Sequence, residues 1–265
     1  MSDKELVKKD ADAVSIMQQA GLTDYTGFEN IEEGMLSFPW LKIAQALSPE
    51  ISGAVPVDGL KQGDFFNSMT KRIYGKDALI IFLSFDHSYI EWDAEGGSVP
   101  VNRYSTEDLK EAVKAKLVTQ VDGFRFYSDP ANTKTEVKET YTFACIMADY
   151  PEDGILFFSM KSLGAKYAKK IINMSRVMRV HGRAANFPEL VWGLTSTKYI
   201  NANGQASFQL GDGKNMTCSI MGNVYDAGFE KVQPAIVEAV QLARTIQFKK
   251  VDMAASVEHG DDIPF

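Results

Sequence analysis

The chain has 265 residues, 45% of them hydrophobic and 24% charged, the proportions of a globular domain with a sizeable core. A net charge of −7 argues against indiscriminate nucleic-acid binding; no apolar run reaches membrane-spanning length, and Met1–Asp12 lacks a signal-peptide core, so a cytoplasmic protein is expected. Two distant cysteines (Cys145, Cys218) and three separated histidines (His87, His181, His259) exclude a disulfide framework and a Cys-rich zinc site, and no cofactor or metal is expected.

Residues 1–35 are polar with scattered apolar positions and read as a partly helical N-terminal extension, with Gly21 after a weak amphipathic stretch. One β-rich domain is expected over residues 36–248. Residues 38–50 read as a strand ended by Ser48-Pro49. The run from Ala78 to Trp92, rich in β-branched and aromatic residues, predicts a long strand, and Asp93-Ala-Glu-Gly-Gly97 a turn. Ser105-Thr106 before Glu107-Asp108 predicts the start of a short surface helix over residues 106–117.

Further strands are predicted at Gly123–Tyr127, Thr140–Ala148 and Ile155–Lys161. In the last, Phe157 and Phe158 point to opposite faces, so at most one is expected in the core. Leu163–Met178 predicts a helix with Lys166, Lys169, Lys170 and Asn173 on one face and Tyr167, Ile171, Met174 and Met178 on the other. An irregular piece runs to Pro188. Strands follow at Leu190–Ile200, Ala206–Leu210 and Met216–Met221, with hairpin signals at Asn203-Gly204 and Asp212-Gly213. Pro234 opens a final helix to about Gln247, and residues 249–265 form a short acidic tail. Many short strands and few helices predict a mainly β, α+β architecture, a barrel or sandwich decorated by helices.

Charge is distributed unevenly. From Gly154 to Pro188 there is no Asp or Glu, and the window carries Lys161, Lys166, Lys169, Lys170, Arg176, Arg179 and Arg183, a local +7 that leaves −14 for the rest. Single-strand binding without sequence preference needs a cationic groove and aromatic faces for the bases. Aromatic residues fall at strand ends and turns, and Phe66, Trp92 and Phe126 are the ones expected to be exposed. A rival reading takes the alternating Glu91, Asp93 and Glu95 as an Mg²⁺-holding carboxylate face for nuclease chemistry. The plainer reading is a charged strand end running into Gly96-Gly97. No P-loop, Rossmann glycine pattern or Ser/His/Asp set stands in the chain, and Ser159-Met160-Lys161 replaces the Glu/Gln-x-Lys of restriction-type nucleases. A non-enzymatic role is therefore expected.

The chain closes on Asp261-Asp262-Ile263-Pro264-Phe265, two carboxylates, three apolar residues and then the α-carboxylate. Such a terminus suits capture by a pocket with a basic rim, and Pro264 lowers the ordering cost. This tip resembles the end of bacterial single-stranded-DNA-binding proteins. The resemblance implies an OB-fold-like barrel, binding of single-stranded DNA, and recruitment of replication, recombination and repair proteins through Asp261, Asp262, Ile263, Pro264 and Phe265. The series Leu41-Lys42-Ile43-Ala44-Gln45, Ser48-Pro49-Glu50, Gly63-Asp64-Phe65 and Tyr89-Ile90-Glu91-Trp92 is similar to phage-encoded proteins of replication or recombination modules, which implies a phage origin and action in the host cytoplasm. The other reading of the tip is an adaptor that occupies a host tail-binding site without touching DNA.

Overall fold

The structure is a computed structural model that describes residues 39–245 except 54, 93–99, 124, 202–203 and 213. The chain divides into Met1–Ser37 and Phe38–Phe265, and every described residue belongs to the second unit. The expected N-terminal helix, Asp93, Glu95 and the terminal Asp261–Phe265 lie outside the described residues.

In chain order the elements are β1 (Leu41–Ile43), α1 (Pro49–Ser52), β2 (Phe65–Asn67), β3 (Ile73–Gly75), β4 (Asp77–Trp92), β5 (Pro100–Tyr104), α2 (Thr106–Lys114), β6 (Thr119–Val121), β7 (Arg125–Tyr127) and β8 (Glu136–Met147). They continue with β9 (Leu156–Lys161), α3 (Leu163–Val177), β10 (Arg179–Val180), β11 (Arg183–Ala184), β12 (Leu190–Thr195), β13 (Thr197–Ile200), β14 (Ala206–Gln209), β15 (Cys218–Asn223) and α4 (Gln233–Thr245). The expected α+β class is what forms, with mostly antiparallel strands. None of these helices is long and apolar enough to cross a membrane.

One sheet dominates. Its order is β15-β12-β4-β8-β7-β6, with β5 beside the far part of β4 and β9 beside the near part of β8. β4 and β8 are its spine, antiparallel from Ile80 opposite Met147 to Glu91 opposite Val137. Side chains alternate between the faces as the pleat requires. Ile80, Phe82, Phe143, Cys145, Phe158, Trp192 and Leu194 face one way, where α3 covers them with Ala165, Tyr167, Ala168 and Ile171. Ile81, Leu83, Ala144, Ile146, Phe157 and Val191 face the other, where α4 covers them with Ile236, Ala239 and Ala243. Each large apolar side chain so buried contributes roughly 1.5–3 kcal/mol.

Double coverage corrects the reading of β9. Phe157 and Phe158 are both buried, because the sheet has helical cover on each face rather than one wet face. The barrel does not form either. Among the described residues the sheet is open, ending at β15 and β6. Smaller units attach to it. β1-β2-β3 joins β9 through a parallel bridge between Trp40 and Phe157, and β10-β11 and β13-β14 are two-stranded hairpins.

α2 forms where its cap predicts. Ser105 accepts from the Asp108 N–H, and the Asp108 carboxylate accepts from the Ser105 N–H. Its Leu109 and Ala112 pack on Val137, Tyr89, Tyr104 and Phe126, the α3 side of the sheet at its far end. The stretch read as irregular after the basic helix contains the β10-β11 hairpin, turned by His181 and Gly182 at φ 49° and 79°. Two left-handed residues match the twist of a tight hairpin, but His-Gly is a weak sequence signal for it.

Candidate nucleic-acid interface

α3 presents the basic surface. Its inward face is Ala165, Tyr167, Ala168 and Ile171, which leaves Lys166, Lys169, Lys170, Asn173 and Arg176 exposed, as the 3.6-residue period predicts. Arg179 on β10 extends this exposed row. Lys166 to Arg176 covers about 15 Å along the helix axis. The turn into α3 is tight: Gly164 lies against β9, where a Cβ would sit 3.3 Å from the Met160 Cβ. Among the described residues Lys169 is the one cation of this row in an ion pair, its Nζ 2.7 Å from Glu139 Oε2.

That pair leads to an aromatic strip. The other oxygen of Glu139 lies 3.0 Å from His87 Nε2. His87 stacks on Tyr141 with ring centroids 4.5 Å apart, and its edge meets Tyr89 at 5.2 Å. Phe85 packs on Phe143 and Tyr141, and Tyr89 on Phe126. Phe85, His87 and Tyr89 share the α3 face because of a bulge between Phe82 and Ser84, which shifts the alternation of β4 by one. The strip lies between the parts of the sheet that α3 and α2 cover. Phe85 is 42% exposed, His87 and Glu139 are half-buried, and Tyr141 forms the floor. Burial, with the Glu139 carboxylate second, pushes the Tyr141 phenol well above its ordinary range, so the floor is uncharged.

The predicted residues fare differently. Lys166, Lys169, Lys170, Arg176 and Arg179 share one exposed surface. Lys161 does not join them: it ends β9, and burial, with Lys138 nearby, pulls its ammonium down to about 7. Arg183 is exposed but committed. It makes a two-pronged pair with Glu189, which is 6% exposed and also accepts from the Asn186 N–H and the Tyr225 hydroxyl. That guanidinium holds the Glu189 carboxyl at about 2 and pins the β10-β11 hairpin to the chain before β12.

Phe66 offers no face to a base. It lies in the middle strand of the three-stranded sheet and is 0% exposed, not at the turn the sequence suggests. Phe126 is half-buried against Tyr89. The Trp92 side chain lies outside the described residues. Sequence reasoning missed Phe85 and His87, although the alternation Phe85-x-His87-x-Tyr89 was visible; only the bulge decides which face it takes. Of the carboxylates considered for metal binding, Glu91 is buried and accepts from Asn102 Nδ2 at 2.9 Å and the Tyr104 hydroxyl at 3.2 Å. Among the described residues no group of three His, Cys, Asp or Glu could hold a metal.

The sequence profile of a family described as Pam3 phage gp34-like protein matches residues 7–229, and the chain belongs to that family. The match agrees with the expected phage origin. No curated protein and no solved structure matches the chain.

Proposed function

We propose that this member of a phage protein family binds single-stranded DNA without sequence preference and holds it along α3 and the aromatic strip. The observation that carries this is the Lys169–Glu139–His87 chain, which places the cation row at the rim of half-exposed rings. Phosphates replace water and counterions on Lys166, Lys169, Lys170, Arg176 and Arg179, while bases stack on Phe85 and His87. Glu139 lets go of Lys169 when a phosphate takes its place. No bond is made or broken, and the action is in the host cytoplasm. The sheet that supports this reading is open, so it does not require an OB-fold barrel.

The tip Asp261–Phe265 would recruit replication, recombination or repair proteins, a role that rests on its sequence resemblance alone. Anisotropy of a labelled oligo-dT against the same length of duplex tests the DNA part. The expected result is tighter binding of the single strand, weakened by Phe85→Ala; equal binding of both forms, or none, would remove the proposal. For the tip, the expected result is that deletion of Asp261–Phe265 abolishes capture of host repair enzymes while oligo-dT binding persists.

A further inference from the structure

A second feature of the same region is not used by the strand path along α3. Where β1 and β9 part beyond the Trp40–Phe157 bridge, a cavity of about 370 Å³ opens between them, closed by the first turn of α3 and by β14. That volume lies in the range of small-ligand sites. Its walls include four aromatic rings, Trp40, Phe158, Tyr167 and Phe208. They are positioned by specific contacts. The Gln45 side-chain amide donates to the Ile43 and Phe208 carbonyls and accepts from the Phe208 N–H, tying β14 to the end of β1. Gly63, at φ +90°, lets the Phe208 ring pass where a Cβ would sit 2.6 Å away.

Polar side chains line the cavity too, among them Lys42, Ser48, Ser159 and the buried Glu50 carboxylate, which pairs with Lys71 at 3.2 Å. Gln209 lines the cavity, and its Nε2 is buried without a hydrogen-bond partner. A buried donor left unsatisfied costs about 1–3 kcal/mol, which an acceptor on a ligand would recover once the Gln209 amide turns toward the cavity. Lys161 stands in the same wall, and Lys166 of the cation row lies two residues beyond the wall residue Gly164, about 3 Å along the helix. Flat rings, one orphan amide donor and a neighbouring phosphate-binding row together suit a planar heterocycle with carbonyl or ring-nitrogen acceptors.

We propose that this cavity is a nucleobase site, filled by one unstacked base of the strand held along α3. The proposal rests on the single-strand reading above for the source of the base. Stacking between rings holds the base, and the Gln209 amide donates to its edge.

The test uses the full chain, wild type and Gln209→Leu, with three probes: oligo-dT, an abasic strand of equal length, and free thymidine monophosphate. Wild type is expected to bind oligo-dT more tightly than the abasic strand. Gln209→Leu should lose five- to tenfold in oligo-dT affinity with abasic binding unchanged, so the ratio narrows. Its melting temperature should equal or exceed that of wild type, since the leucine replaces an unsatisfied donor, so loss of folding would not mimic the effect. An unchanged ratio overturns the base site while leaving the α3 reading intact. Binding of thymidine monophosphate alone, lost in Gln209→Leu, keeps the base site and removes the strand reading. Absence of binding to all three probes overturns both.

Discussion

The two halves of β4 run through one sheet and are covered differently. In the first half Ile80, Ile81 and Phe82 are fully buried between α3 and α4. In the second, beyond the bulge at Leu83 and Ser84, three side chains meet polar partners: Asp86 holds Arg103 at 2.6 Å, His87 holds Glu139, and Glu91 holds Asn102 and Tyr104. Two helices on one stretch make stability. Rings left half open, with charged groups at their rims, leave a surface facing solvent.

The sharpest way to break this comparison is to truncate one ring from each half. Phe82→Ala is expected to cost about 3–5 kcal/mol, read as a lower denaturant midpoint. Phe85→Ala should cost under about 1 kcal/mol of stability but weaken oligo-dT binding by about 1–3 kcal/mol, roughly five- to 150-fold. Equal destabilisation by both would show that the strip is ordinary core.

The arginines sharpen the same contrast. Arg183→Ala leaves Glu189 buried without its main partner and is expected to lower the denaturant midpoint, with DNA affinity unchanged. Acid should reveal the pair. The Glu189 carboxyl is held at about 2, below its ordinary 4.5, so its stabilisation is complete above pH 4.5 and is lost as pH falls toward 2. The stability gap between wild type and Glu189→Gln in chemical denaturation should therefore close over that window; a gap that stays constant with pH would contradict the pairing. The smallest effect is expected at Glu139. Glu139→Gln removes the carboxylate that competes with phosphate for Lys169, so oligo-dT affinity should rise about two- to fivefold at low salt, a gain under about 1 kcal/mol. Weaker binding instead would mean that Glu139 holds the strip in shape.

Much of this was legible in the sequence. The helix period separates Lys166, Lys169 and Lys170 from Tyr167 and Ile171, and the Ser105–Asp108 cap marks the start of α2. The long strand ending at Trp92 was evident from its residue types. Its parity was not, because a bulge turns the alternation over without leaving a mark in composition, and Phe85 and His87 went unnoticed beside Trp92. Phe66 misled for a related reason: the Gly63-Asp64-Phe65 signal suggests a turn, while pairing of β2 on both edges makes its residues interior. Nor could charge counting separate Arg183 from Arg179. Both are exposed, but Arg183 is spent on Glu189, a distinction that depends on how the His181-Gly182 turn folds the hairpin back.

The central claim is that α3 grips phosphates, and the salt dependence of oligo-dT affinity tests it most directly. For a single strand each neutralised phosphate adds about 0.7 to the slope of log K against log salt. The account predicts that replacing Lys166, Lys169 and Lys170 together by alanine lowers the slope by about 2 and weakens binding most at low salt. A slope the same as that of wild type would contradict it.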